Sequence, residues 1–298
     1  MLYYESARDK MKFLNQILEG DCLQLCKTIP SNTVDLIITS PPYADARKWH
    51  YGSIHPDNYA DWMIERTKEF HRILKPSGTF ILNIKEKVVD GERHTYVMET
   101  ILGMRKQGWL WTEEFIWHKK NCYPGKWPNR FRDAWERCLQ FNKNKKFKMF
   151  QEEVMVPMGK WAEHRLKNLG KNDVIRFESR TESKYGKNIA NWLGRDKAYP
   201  SNVLHLSTEC ANKNHSAVFP IALPEWFIKL FTAKNDIVLD PFAGSGTTGV
   251  AAFLMDRHYI LMDNNVKFCE LATERIERER RNNKADQRRT RRNSKVPA

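Results

Sequence analysis

The chain of 298 residues has no apolar run approaching the roughly 20 residues that a bilayer-spanning helix needs. Its first residues, MLYYESARDKMKF, lack the basic-then-apolar order of a secretion signal. A soluble, cytoplasmic protein with no membrane partner is the expectation. Cysteine is scarce: there are six, and only Cys22 and Cys26 lie close together, with no second pair to complete a metal site. No metal centre and no disulfide framework are expected. Acid is also in short supply, with 36 Asp and Glu against 50 Lys and Arg, a net charge of +14. There is no internal repeat, and no Gly-Lys followed by Ser or Thr, so a phosphate-cradling P-loop is excluded.

The basic excess is local. Residues 143–215 hold 15 Lys and Arg against 8 acids, and residues 275–298 hold 10 against 3. The rest of the chain sums to zero. Two localised basic fields are the footprint of a nucleic-acid binder. A third stretch, 117–136, interleaves Lys119, Lys126, Arg130 and Arg132 with Trp117, Tyr123, Trp127, Phe131 and Trp135. There cations can meet phosphates, and aromatic rings can support an extruded base. Trp117 and Trp135, in or beside strand patterns, are expected in the core.

Two blocks alternate strand and helix. In the first, apolar runs at 15–21, 34–39 and 78–84 alternate with helical spacing at 22–29, 58–74 and 96–108; two further strands, 113–119 and 136–143, suit an antiparallel pair. In the second, helices at 224–232, 247–256 and 266–281 flank strands at 236–240 and 258–263. Between the blocks regularity fails. The pattern implies an α/β fold with one mostly parallel sheet, an antiparallel edge pair and a projecting insert. The divisions expected are 1–142, an insert over 143–212, a second half over 213–281 and a basic tail without structure over 282–298.

Two turns carry the chemistry. Leu36-Ile37-Ile38 runs into Thr39-Ser40-Pro41-Pro42-Tyr43, where two prolines forbid regular structure. Val238-Leu239-Asp240 runs into Pro241-Phe242-Ala243-Gly244-Ser245-Gly246-Thr247 before a helix. Glycines there let backbone approach a ligand, Thr247 or Thr248 can cap the helix, and its N-terminus offers free N–H groups. Asp240, placed where the ligand arrives, repels phosphate and attracts a cation. Asp263, ending the next strand, is placed to hold two ribose hydroxyls. A ligand with a ribose and a cationic group but no phosphate is S-adenosylmethionine, favoured here over a dinucleotide.

TSPPY together with DPFAGSGTT resembles the amino-group DNA methyltransferases, and the order, SPPY turn first and glycine turn last, looks like their beta class. The resemblance covers about 13–142 and 213–275. It implies a Rossmann-like, S-adenosylmethionine-dependent fold, with residues 143–212 reading the target. It assigns Asp21 to the cofactor's adenine end and Phe219 and Pro220, in NHSAVFP, to the approach to the cofactor turn, beside Asp240, Phe242, Gly244, Ser245, Gly246, Thr247 and Asp263. It implies double-stranded DNA as substrate, a homodimer, and a cognate restriction endonuclease. Ser at the head of the four-residue turn accompanies cytosine N4 more often than adenine N6. No Pro-Cys dipeptide exists, which disfavours ring-carbon methylation.

An exocyclic amine is a poor nucleophile because its lone pair is delocalised into the ring. Ser40 Oγ and the Pro41 carbonyl, held rigid by Pro42, are the expected acceptors that orient it. Tyr43 is expected to stack on the base, which must be flipped from the duplex. Lys119, Lys126, Arg130, Arg132, Arg195 and Lys197 are the expected DNA contacts. An RNA or protein methyltransferase is the competing enzyme, disfavoured by the order of the turns. A DNA-binding module with a degenerate site would need a damaged turn, and both are intact.

Overall fold

In the computed structural model, residues 12–45, 54–122, 125, 127–170, 194–209 and 219–293 are described. Two compact units divide the chain: residues 1–150 with 202–298, and Gln151–Ser201.

The larger unit is built on β1 (Gln16–Glu19), α1 (Cys22–Thr28), β2 (Val34–Thr39), α2 (Pro56–Ile73), β3 (Leu74–Ile84), a two-residue hairpin β4 (Val88–Val89) and β5 (Glu92–Arg93), α3 (Tyr96–Lys106), β6 (Leu110–Lys119) and β7 (Trp135–Asn142). The smaller unit holds β8 (Val156–Pro157), α4 (Lys160–Lys167) and β9 (Lys197–Ala198). The larger unit resumes with β10 (Val203–Leu206), α5 (Ala222–Phe231), β11 (Ile237–Asp240), α6 (Thr247–Leu254), β12 (His258–Asp263) and α7 (Val266–Asn293).

Eight strands form one sheet in the order β1-β12-β11-β2-β3-β7-β6-β10. Only β7 runs against the others, antiparallel to both β3 and β6. The expected antiparallel pair is therefore present, but β10 lies outside it, parallel to β6. Every residue of β2 and β11 is buried, as continuous apolar runs require when helices cover both faces. The core packs Tyr59, Met63 and Phe70 of α2 and Tyr96 and Ile101 of α3 against alternate residues of the central strands.

The insert is narrower than expected. Residues 143–150 and 202–209 belong to the larger unit, since Phe150 N–H bonds the Leu230 carbonyl at 2.7 Å and β10 completes the sheet. At four residues, β10 is too short for its pattern to stand out in sequence. In the smaller unit β8 and β9 pair antiparallel, and Met158 N–H bonds the Asp196 carbonyl at 2.9 Å. The tail also differs: α7 continues past residue 281 to Asn293, where the charge run suggested no structure. Adding a turn to a helix already begun costs less than starting one.

One buried acid fastens the sheet away from its ligand edge. Asp35 on β2 is 1 % exposed. It accepts from Lys75 Nζ at 2.7 Å, Lys148 Nζ at 3.0 Å and Ile237 N–H at 3.0 Å. Burial pushes its carboxyl up, but the Ile237 N–H and both ammonium groups outweigh burial and hold it below the usual range. A depressed folded pKa stabilises above the unfolded value and stops doing so as pH falls through the folded one. Asp35→Ala, which also takes from Lys75 its carboxylate partner while Lys148 keeps Asp236, is expected to cost about 3 kcal/mol at neutral pH in urea unfolding, with the deficit shrinking below about pH 4. A pH-independent deficit would contradict this role.

Candidate active site

The carboxyl ends of parallel strands form the ligand edge of such a sheet. Here β2 and β11 are neighbours, with Leu36 opposite Val238 and Ile37 opposite Leu239. Their exits, the Ser-Pro-Pro-Tyr turn and the glycine turn, therefore open side by side. Thr39 Oγ1 donates to Asp240 Oδ1 at 2.6 Å across 201 residues of sequence, tying one turn to the other.

Both turns line one cavity of about 460 Å³. Ser40, Pro41, Pro42 and Tyr43 lie on its wall, as do Asp21, Phe219, Phe242, Gly244, Ser245, Thr247 and Asp263. Asp240, Gly246 and Pro220 do not. Asp240 is 1 % exposed, and its carboxylate accepts from Thr39 and Thr248 Oγ1, each at 2.6 Å, and from Phe242 N–H at 3.1 Å. It braces the turn from behind rather than meeting a cation. Gly246 has φ 78°, and a Cβ there would lie 2.6 Å from Ala272 Cβ. That glycine admits α7 to the back of the turn.

Asp263 ends β12 on the cavity wall. Its Oδ2 accepts from Gly244 N–H at 2.8 Å and its Oδ1 from Asn265 N–H at 2.9 Å, leaving further lone pairs toward the cavity. Burial raises its carboxyl despite those two donors. Asp21 caps α1 through Leu23 N–H at 2.8 Å and pairs with Arg66 at 2.9 Å.

Sequence reasoning missed Trp62, Arg66, Asn83, Glu136, Thr208 and Glu209, all on the wall. Asn83 is a polar position inside an apolar run, a pattern that could have marked it, whereas Glu136 lies in a strand that also holds Arg137, Gln140 and Asn142. Glu136 is 7 % exposed, accepting from Tyr43 Oη at 2.6 Å through Oε2 and from Lys119 Nζ through Oε1. Lys119, expected on DNA, is instead turned into this cavity, its ammonium 5.1 Å from the Trp117 ring centre. Trp117 is in the core as expected, at 4 % exposure, whereas Trp135 is 38 % exposed.

Of the other expected DNA contacts, Arg132 donates to the Cys122 carbonyl at 3.3 Å, and Arg130 stacks over Trp127 at 4.6 Å beside Asp133. Arg195 and Lys197 are exposed in the smaller unit, and Lys126 falls outside the described residues. Among the described residues, no three His, Cys, Asp or Glu side chains are grouped to hold a metal ion.

The charge of the cavity selects its ligand. Four carboxylates line it, Asp21, Glu136, Glu209 and Asp263, against two cations, Arg66 and Lys119. Both cations are already paired with carboxylates. Such a wall disfavours phosphate and suits a cationic ligand bearing hydroxyls. Phe242 and Trp62, with ring centres 5.5 Å apart, offer apolar faces for a planar ring. S-adenosylmethionine fits these residues.

A parallel sheet with a Ser-Pro-Pro-Tyr turn and a glycine turn on one acid-lined cavity is the arrangement that the resemblance to methyltransferases implies. Residues 34–274 match the family model described as DNA methylase. The Type II methyltransferase M.PvuII of Proteus hauseri is 30 % identical over 264 residues, 81 % of this chain and 77 % of that one. M.BglII of Bacillus subtilis is 27 % identical over 270 residues, 87 % and 68 % of the two chains. Among solved structures, the PvuII DNA methyltransferase (cytosine-N4-specific) superposes with a TM-score of 0.66 at 25 % identity, covering 87 % of this chain and 84 % of its own. M1.HpyAVI, solved with S-adenosylmethionine, shares the fold at a TM-score of 0.57 and 22 % identity, covering 88 % and 98 %. The chain belongs to this family of S-adenosylmethionine-dependent DNA methyltransferases, of restriction-modification type.

Burial raises the Asp240 carboxyl to about 6, against the opposing pull of Thr248, Thr39 and the Phe242 N–H. A folded pKa above the unfolded one means the folded state holds the proton longer, so stability from this group falls as pH rises from about 4 to about 6. Asp240→Asn removes that titration. Relative to wild type, the variant is expected to gain stability across that interval, on the order of 2–3 kcal/mol by linkage. Urea midpoints at several pH values would show it; a constant difference would contradict it.

Proposed function

We propose that the chain methylates the N4 amino group of cytosine in duplex DNA, at a specific site, with the base flipped into the cavity. The observation that carries this reading is Ser40, at the head of the Ser-Pro-Pro-Tyr turn, sharing one wall with Asp263 and Gly244. Bound along Asp21, Phe242, Gly244 and Asp263, S-adenosylmethionine supplies an electrophilic methyl group. Ser40 Oγ and the Pro41 carbonyl accept from the amino N–H groups and draw the nitrogen lone pair out of conjugation. Pro42 fixes that carbonyl, so no reorganisation is needed at reaction. The Tyr43 ring faces the base. The N4-specific PvuII enzyme, with its 25 % identity and 0.66 TM-score, supports cytosine over adenine N6, which is the alternative.

The smaller unit, within the expected 143–212 insert, is assigned to target reading, with Arg195 and Lys197 among its exposed cations. Lys126, Arg130 and Arg132 are assigned to the phosphate backbone, and α7's basic end to nonspecific attraction. A homodimer and a cognate restriction endonuclease belong to the same reading, supported by relatives that are Type II methyltransferases. So does a cytoplasmic location, in keeping with the finding that no helix among the described residues is long and apolar enough to cross a membrane.

Plasmid DNA treated with the enzyme and S-adenosylmethionine, digested to nucleosides and weighed, is expected to yield N4-methylcytosine. N6-methyladenine would establish the alternative, and no methylated nucleoside would overturn the reading. Ser40→Ala is expected to lower kcat by about 10²–10³ with cofactor affinity kept.

A further inference from the structure

The cavity contains an acid that neither cofactor binding nor orientation of the amine uses. Glu136 stands on β7, at the same sheet edge as both turns, and is 7 % exposed. A chain of hydroxyls leads to it. Ser40 Oγ donates to Tyr43 Oη at 3.4 Å, and Tyr43 Oη donates to Glu136 Oε2 at 2.6 Å. Asn83 Oδ1, at 3.4 Å from Tyr43 Oη, holds the phenol on its other side, while Asn83 Nδ2 is anchored on the Arg137 carbonyl at 3.1 Å. Lys119 binds the other oxygen of Glu136. That contact engages Oε1 and leaves Oε2 to the phenol.

We propose that Ser40, Tyr43 and Glu136 form a relay that carries away the proton released from the methylated amine. The inference rests on the reading of this cavity as an amino-methylation site. The nitrogen–carbon bond would form as the methyl's bond to the cofactor's sulfur breaks, its electron pair staying on sulfur, and nitrogen would become positively charged. One N–H bond then breaks, leaving its electron pair on nitrogen. Ser40 Oγ gains that proton and passes its own to Tyr43 Oη, which passes its own to Glu136 Oε2. A cationic amine and a carboxylate become a neutral amine and a carboxylic acid, so charge balances, and Glu136 returns its proton to water between turnovers. The long first link is of the kind that tightens when substrate enters.

The titratable groups facing Glu136 are Lys119 on β6, Tyr43 on the turn, Cys138 on its own strand and Tyr96 on α3. Burial pushes both tyrosines and the thiol up, so these three keep their protons through neutral pH. Glu136 Oε2 is the acceptor at the end of the relay. Tyr43 has two separable functions, a ring against the base and a hydroxyl in the relay.

The test is single-turnover methyl transfer to plasmid DNA, with enzyme in excess and S-adenosylmethionine saturating, from about pH 5 to about 9. Wild type is expected to slow along an acidic limb. Tyr43→Phe keeps the ring and is expected to slow transfer about 10²-fold, as is Glu136→Gln; the double variant is no slower than either single one. Glu136→Gln also loses the acidic limb, and Glu136→Asp restores part of the rate. Calorimetric S-adenosylmethionine affinity stays at the wild-type value in both single variants. Wild-type rates in Tyr43→Phe and Glu136→Gln, or an unchanged acidic limb in Glu136→Gln, would overturn the relay while leaving methylation intact. Absence of transfer to DNA by wild type would instead overturn the reading beneath it, and the relay with it.

Discussion

One hydrogen bond, from Thr39 Oγ1 to Asp240 Oδ1, holds the site together. Neither group reaches the cavity. Each stands at the last position of a fully buried strand, and the strands are neighbours in the sheet. The bond is short, desolvated and charge-assisted, so it is among the stronger kinds available. Because Ser40 follows Thr39 and Phe242 is tied back to Asp240, fastening these two residues sets the spacing of the turns that meet the two substrates. The constraint is cooperative, since Thr248 on α6 grips the other oxygen of the same carboxylate.

The rest of the site follows from where charge is permitted. Acids outnumber cations on the wall, and each cation is neutralised by a carboxylate neighbour, so the field favours a positively charged ligand, with both wall cations offset. Meanwhile Asp240, the acid whose position in sequence seemed nearest the ligand, is withdrawn behind the turn and made reluctant to ionise. Asp263 lies on the cavity wall on that side, held by the N–H groups of Gly244 and Asn265.

Much of this was legible in the residues. Val34–Thr39 and Ile237–Asp240 announced buried parallel strands by continuous hydrophobicity, and prolines and glycines marked their abrupt ends. The pairing of those ends was foreseeable because alternating strands and helices fix which edge ligands approach. Direction of side chains was not. Asp240 and Asp263 look alike in sequence, yet one turns inward and one outward, a difference set by Thr39, itself 201 residues away. Lys119 read as a phosphate contact because its neighbours are basic; Glu136, on the adjacent strand, captures it. Glu136 itself was hidden among the other polar residues of its strand, Arg137, Gln140 and Asn142. The ends of the insert blurred for a related reason, since β10 is four residues long and owes its place to pairing with β6.

Thr39→Val, which preserves shape and removes only the hydroxyl, tests the central constraint. The account predicts weaker S-adenosylmethionine binding by calorimetry, by about tenfold, the equivalent of about 1.4 kcal/mol within the range for one orphaned buried partner. It also predicts slower methyl transfer, although Thr39 touches neither substrate. A variant that binds the cofactor and methylates DNA as wild type does would contradict it.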